Sequence, residues 1–305
     1  MSEPTVVEMV KLICSEYRVN SVPDSSRAWN GPQIISDLNR SCNLIVTSTD
    51  ASLEVIKKSI QLGADILISH HGLTWTDGRI PLPFSDDIEA KRTKLAIDNN
   101  LTIIGLHLPM DAHPILGNNA VLCKSIDAEF EGRWFTTKGH SSPISNDFIL
   151  EENNNSWPEI IDLEDGRKCM EIGIIAGVNS ISRSEVKSRL EKLIGIEQTS
   201  YESIRCFPED RNFESTLVNR IAICTGAAGG AIVEARDSDA DLLISGEGPA
   251  HAAILAHESG VGLLLGGHHA TETVGPKALA EWLTSESLNN NWGLKSTFIS
   301  SPIGL

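Results

Sequence analysis

The sequence predicts an α/β fold of two related halves, with mixed sheets flanked by helices. Three observations predict it. Apolar runs such as Asp65–Ser69, Leu101–Leu106 and Val261–Leu265 are too short for typical helices and suit buried strands. Stretches with helical spacing alternate with these runs, the pattern of βα units. A block of sequence also returns. Laid without gaps, residues 219–248 match residues 43–72 at eleven of thirty positions, and Ala64-Asp-Ile-Leu-Ile-Ser69 comes back as Ala240-Asp-Leu-Leu-Ile-Ser245. Asn43 pairs with Asn219, Thr49 with Thr225 and Gly72 with Gly248. The physical reading is an internal duplication whose halves pack about a pseudo-twofold axis, bringing the strand-end loops of both toward one cleft.

Taken in order, Val6–Tyr17 has helical spacing, and Val19–Gln33 reads as a polar loop ending in Asn30-Gly31-Pro32-Gln33. A strand at Leu44–Val46 leads to a helix over Ser52–Leu62, which Gly63 ends. The strand Asp65–Ser69 runs into His70-His71-Gly72, and Trp75–Asp87 is an excursion bearing proline and glycine. A helix over Ile88–Asn99 precedes the strand Leu101–Leu106, which runs into His107-Leu-Pro-Met-Asp111. Gly117-Asn118-Asn119 caps a helix over Ala120–Ala128. Residues 131–169 are polar and turn-rich, and read as linker and insertion. Order returns at Met170–Ile175, followed by a helix from Ser182 or Ser184 to Leu193, with Ser184 the expected cap. The domains are thus 1–130, the 131–169 insertion, and 170–305.

Length and composition exclude several classes. The 305 residues suffice for two domains, and the net charge of −16 argues against a nucleic-acid partner, because no Lys/Arg stripe would neutralise phosphates. Six scattered cysteines without a Cys-x-x-Cys pair are the usage of a reducing, cytoplasmic compartment. No apolar run approaches the roughly 18 residues that a membrane span needs, and no signal peptide is evident.

The chemistry concentrates at strand ends. Gly266–Thr273 places two imidazoles, a carboxylate and two hydroxyls after the Val261–Leu265 strand, where open α/β sheets bind ligands. His268 and Glu272 are four apart, so a tight turn aims both at one point; His107 and Asp111 repeat that spacing after their own strand. His70 and His71 adjoin at a third strand end, and neighbouring strand residues face opposite ways. For both to bind metal the chain must leave strand geometry there, which Gly72 allows. His70, His71, Asp111, His268 and Glu272 then form a donor set for two divalent ions per chain, Zn, Fe, Mn or Co. His107 is assigned to orienting Asp111 or a substrate, and His113, His140, His257 and His269 to structural or surface roles. Glu247 and His251, also four apart, are the candidate substrate-side or general-base pair; the rival reading of Glu247 is a helix N-terminal carboxylate. Thr225–Gly230 reads as a tight turn in preference to an anion cradle, since it lacks P-loop chemistry.

These motifs resemble the NGG-interacting-factor-three-like family, often filed as GTP cyclohydrolase type 2. The resemblance rests on Asn30-Gly-Pro-Gln33, Ser69-His-His-Gly72, His107-Leu-Pro-Met-Asp-Ala-His-Pro114, Gly117-Asn-Asn119, Cys224-Thr-Gly226, Ser245-Gly-Glu247 and Gly267-His-His-Ala-Thr-Glu272. It implies two related α/β domains, a dinuclear metal site in the cleft, and a homo-oligomer in the form of a toroidal hexamer. By position it implies the same five ligands. The stretch around 131–169 departs from the shorter members.

Three functions remain open. The first is a metal-dependent hydrolase whose activated water attacks a small-molecule substrate, nucleotide-like or heterocyclic. The second is a metal- or cofactor-assembly factor without turnover, and the third a scaffold whose metal is structural.

Overall fold

The computed structural model describes residues 3–73, 88–142, 146–150, 156–195, 204–208 and 215–302. The excursion expected over Trp75–Asp87 lies outside them. Helix α1, Val6–Glu16, begins with a capping box: Thr5 accepts from Glu8 N–H, and the Glu8 carboxylate takes Thr5 N–H at 2.7 Å. Strands β1 (Gly31–Ile34) and β2 (Leu44–Asp50) follow. Helix α2 (Leu53–Leu62) is capped by the Ser52 side chain and ended by Gly63 at φ 76°, a left-handed residue that a side chain would strain. Then come β3 (Ile66–His71), α3 (Ile88–Asp98), β4 (Thr102–Gly105), α4 (Leu108–Ala112) and α5 (Asn118–Ser125). Next in the chain are β5 (Glu129–Gly139), β6 (Ile161–Asp162), β7 (Lys168–Ser182) and α6 (Arg183–Ile194). The last part holds β8 (Arg205–Phe207), β9 (Leu217–Ile223), α7 (Ile232–Asp237), β10 (Leu242–Ser245), α8 (Ala250–Ser259), β11 (Gly262–Leu265), α9 (His268–Thr271), α10 (Val274–Asn289) and β12 (Lys295–Phe298).

The chain divides into two compact units. One comprises Met1–His113, Thr137–Met170 and Pro276–Ser301; the other Pro114–Thr136, Glu171–Gly275 and Pro302–Leu305. In the first, the strand order is β1-β4-β3-β2-β12, with β2, β3, β4 and β12 parallel and β1 antiparallel to β4. Its core includes Val46, Val55, Ile56, Leu67, Leu101 and Ile103. In the second, the order is β5-β7-β9-β10-β11-β8, with β9, β10 and β11 parallel, β7 antiparallel to β9 and β8 antiparallel to β11. Val186, Leu190, Ile221, Ile223, Ile244 and Leu264 lie in its core. Both sheets are mixed and flanked by helices, as expected. In each the parallel strands' carboxyl ends fall together, which is what collects residues spread along the sequence. Among the described residues no helix is long and apolar enough to cross a membrane.

Several expectations need correction. The linear division at 130 and 170 is not how the units divide. Strand β12 pairs with β2 in register Lys295↔Leu44 to Phe298↔Thr47, and the Thr47 hydroxyl donates to Pro276 O at 2.7 Å, so the chain's last helix and strand complete the first sheet. Residues 131–169 are not simply linker: β5 and the start of β7 are long ladder strands, and Trp134 is buried with Nε1–H donating to Ile223 O at 3.1 Å. The cap of α6 is Ser182, whose side chain accepts Glu185 N–H, not Ser184. The polar loop 19–33 ends in β1, and the polar pair after β4 sits on the short helix α4.

One device occurs in both sheets. Asp65 accepts the N–H groups of Asn43 and Leu44 at 2.6 and 3.0 Å, and Asp241 those of Asn219 and Arg220 at 2.7 and 3.0 Å. Each carboxylate satisfies two consecutive backbone donors on the chain beside it. Replacing Asp241 with Ala therefore costs about 1–3 kcal/mol of unfolding free energy in urea titrations of the metal-free protein.

Candidate metal centre

In the first unit the candidate group stands at the carboxyl ends of β2, β3 and β4. Register pairs Asp50 with His71, so both remain in the ladder and the chain does not leave strand geometry after Ser69, contrary to expectation. The rings still converge. His70 and His71 have centroids 4.7 Å apart, His70 and His107 5.3 Å, and His71 and His107 6.1 Å. Side chains at the last rungs of a strand are free of the next residue's packing, so two adjacent imidazoles can lean to one place. One ligand atom from each of the three lies within 4.8 Å of the others.

Every one of these rings is held at Nδ1. His70, fully buried, meets Leu106 O at 3.1 Å. His71 meets Asp50 Oδ1 at 2.9 Å. His107 meets both Asp24 oxygens, at 3.0 and 2.9 Å. A carbonyl or carboxylate oxygen only accepts, so each Nδ1 carries a proton, and in the neutral ring Nε2 is the lone-pair nitrogen. That is the tautomer of an imidazole that ligates a cation through Nε2. Asp111, on the single turn of α4, is buried, with Oδ1 3.9 Å from His70 Nε2.

Asp24 organises this group and was not among the predicted residues. It is 1% exposed. Besides the ring of His107 it accepts Asn30 Nδ2–H at 2.8 Å, Leu108 N–H at 3.1 Å and Ser25 N–H at 2.6 Å. Burial works against its charge, but His107, Asn30 and Leu108 N–H outweigh burial and hold its pKa below the ordinary carboxylate value. Burial likewise disfavours charge on His107, yet the Asp24 charge and hydrogen bond, helped by Asp111, lift its pKa above the ordinary imidazole value.

The second unit has its own group. Glu247 follows β10, and His268 opens the four-residue helix α9, so the expected loop is a single helical turn. One turn stacks His268 over Glu272, and Nε2 lies 3.2 Å from Oε2. His268 Nδ1 meets Glu247 Oε1 at 2.8 Å, the arrangement already seen at three rings in the first unit. Glu272 is 3% exposed. Gly226, at φ +68°, makes room for it: an alanine Cβ there would stand 2.3 Å from Glu272 Oε1. The backbone of Thr225–Gly230 is used internally. Thr225 N–H goes to Asn119 Oδ1, Ala228 N–H to Ser245 Oγ, and Gly229 N–H to Glu247 O, so the segment is a tight turn.

The remaining histidines separate clearly. His251 and His257 are exposed on α8, and His140 is exposed, its backbone bridged to Asp24. His269 is buried. His113 is buried against Tyr17 and Trp157, with Nε2 3.1 Å from Glu16 Oε1. Sequence reasoning missed Asp24 and Asp50 because each is a lone acid with no spacing that ties it to a histidine. The donor chemistry of both groups, imidazole nitrogen with buried carboxylate, suits Zn, Fe, Mn or Co.

Residues 5–302 match the model of the Duf34/NIF3 (NGG1p interacting factor 3) family. The chain is 31% identical over 280 residues to a GTP cyclohydrolase 1 type 2 homolog of Haemophilus influenzae, covering 92% of this chain and 93% of that one. It is 31% identical over 298 residues to the homolog of the same name from Pyrococcus horikoshii, covering 98% of each. The solved structure of protein ybgI, of unknown function, superposes with a TM-score of 0.74 at 26% identity, over 99% of this chain and 100% of that one.

Two outcomes follow for the metal-free protein. Asp24 has a lowered pKa, so its stabilisation is present above the ordinary carboxylate value near 4 and is lost as pH falls through its folded pKa. His107 has a raised pKa, so its share is complete below about 6.5 and is lost as pH rises through its folded pKa. The difference in Tm between wild type and Asp24→Asn is therefore greatest between about pH 4 and 6.5 and shrinks on either side, as differential scanning fluorimetry across pH would record. Gly226→Ala strains a left-handed residue and displaces Glu272, lowering unfolding free energy by about 1–3 kcal/mol in denaturant titrations.

Proposed function

The chain belongs to the Duf34/NIF3 family, and from that premise we propose that it is a metal-dependent hydrolase whose two divalent ions per chain are held by His70, His71, Asp111, His268 and Glu272. The observation that carries this reading is the shared tautomer: the three proposed histidine ligands, His70, His71 and His268, from two separate groups, each have Nδ1 held by a carboxylate or a carbonyl. Structural histidines have no need of such uniformity, whereas ligands through Nε2 do. Divalent ions in such a set supply a water acidified toward neutral pH and a Lewis acid for developing negative charge.

The chain's own groups divide the remaining work. Asp50 and Glu247 fix the planes of His71 and His268. Glu247 is thereby an orienting carboxylate in this reading, not one member of a base pair with His251. His107, with a pKa raised by Asp24, keeps a proton at Nε2 more readily than an ordinary imidazole and can pass it to a leaving group. The substrate class, a nucleotide-like or heterocyclic metabolite, is supported by the name carried by the relatives, GTP cyclohydrolase 1 type 2 homolog. A reducing, cytoplasmic setting is supported by six free thiols. A homo-oligomer, hexameric by the resemblance, is the proposed assembly; light scattering on the purified protein measures it.

Elemental analysis after incubation with Zn, Mn, Fe or Co should return two ions per chain, falling on Glu272→Gln with an affinity loss of about tenfold or more. Screening nucleotides and phosphoesters should show turnover that requires metal and disappears in Glu272→Gln. Two bound ions without turnover would reassign the site to metal delivery or cofactor assembly. A protein that stays metal-free in excess Zn and Mn would end the reading altogether.

A further inference from the structure

We infer that Gln33 is a positioning residue for the first unit's metal ligands: its carboxamide, aimed by a β-bulge, sets the spacing of the strand ends that carry His71 and His107. The inference rests on the metal reading proposed above. Strand β1 pairs with β4 as Gly31↔Gly105 and Pro32↔Ile104, then as Ile34↔Ile103. Gln33 is the extra residue in that ladder. A bulge turns a side chain out of the alternation, and bulges are over-represented beside functional sites for that reason.

The turned side chain crosses the ends of β4 and β3. Its Nε2–H donates to Trp29 O at 2.6 Å, and its Oε1 accepts Leu73 N–H at 2.5 Å. A carbonyl only accepts and an amide N–H only donates, so the orientation of the carboxamide is forced. Leu73 lies two residues beyond His71. Trp29 precedes Asn30, whose Oδ1 accepts His107 N–H at 2.6 Å and whose Nδ2–H donates to Asp24. One loop therefore grips the His71 strand end with Gln33, the His107 strand end with Asn30, and the His107 ring with Asp24.

The two glycines at these strand ends are shaped by the same carboxamide. A Cβ at Gly72 would stand 2.1 Å from Gln33 Nε2, with the next two nearest atoms, at 2.9 Å, also in Gln33. A Cβ at Gly105 would stand 2.5 Å from the same nitrogen. Neither glycine has left-handed φ, so the need is for room and not for conformation. The His-His-Gly ending of β3 thus has two causes: imidazoles for the cation, and a missing side chain where the Gln33 amide lies. A crevice lined by Trp29, Gln33, His70, Gly72, Gly105 and His107 marks the same junction.

The test is titration of the full chain with Co(II), reading the affinity and the visible spectrum at saturation, alongside the Tm of the metal-free protein. Gln33→Leu should weaken Co(II) binding by about 10–100-fold and change the saturated spectrum. Gly72→Ala should do the same while leaving Gln33 chemically intact, because its methyl displaces the amide. In a Gln33→Ala background, Gly72→Ala should add no further loss, the coupling expected of two residues acting through one. Wild-type affinity and spectrum in both single variants, with only Tm lowered, would assign Gln33 to packing and overturn the inference. So would fully additive losses in the double variant. Wild-type protein that binds no Co(II) is a separate failure, since it removes the metal reading on which the inference rests.

Discussion

A carboxylate that is 1% exposed must be held by donors, and Asp24 has four: the ring of His107, the amide of Asn30, and the N–H groups of Ser25 and Leu108. Its backbone is pinned as well, exchanging hydrogen bonds with His140 at 3.0 and 2.8 Å. An isolated buried charge costs several kcal/mol, so this residue is tolerable only while all its partners stay in place. That makes it a rigid point from which the first unit's histidines are set. Turning the His107 ring would take one donor from both Asp24 oxygens. Asn30 cannot move without releasing both Asp24 and the His107 backbone. The geometry of the group follows from the cost of burying one acid.

The same constraint recurs with less burial at Asp50–His71 and Glu247–His268. These pairs are partly exposed, so their worth as ion pairs is small. Their consequence is chemical. Each fixes which nitrogen carries the proton, and a ring with Nδ1–H presents its lone pair at Nε2. At His70 a backbone carbonyl does this without any charge, which suits a ring that is fully buried.

Much of this architecture is legible in sequence because it is local. Short apolar runs closed by glycine or histidine give the parallel strands, Ser52 and Gly63 bracket α2, and the four-residue spacings give His107–Asp111 and His268–Glu272. What escapes is what depends on distant partners. Strand β12 is four residues with three polar side chains, and only its pairing with β2, some 250 positions earlier, makes it a strand. The long strand β5 is largely exposed or half-buried, so its polar face reads as linker. Asp24 and Asp50 are single acids whose spacing ties them to no histidine. The bulge at Gln33 inserts one residue without a signature beyond a proline before it.

The aligned positions of the two halves add a last step. His107 corresponds to His268, and each is oriented at Nδ1 by an acid. The acids, however, come from different places. In the first unit Asp24 arrives from a loop far upstream of β2, whereas in the second Glu247 stands at the position aligned with His71. A position that holds an imidazole in one half holds, in the other, the carboxylate that orients one. The second unit's His268 is oriented by an acid just past the end of β10, with no counterpart of the Asp24 loop at that ring. Its group is left with one imidazole and one buried carboxylate, against three imidazoles and one buried carboxylate in the first. Unequal donor sets of this kind cannot hold cations equally well when each acts alone, because affinity rises with the number of ligands fixed in advance.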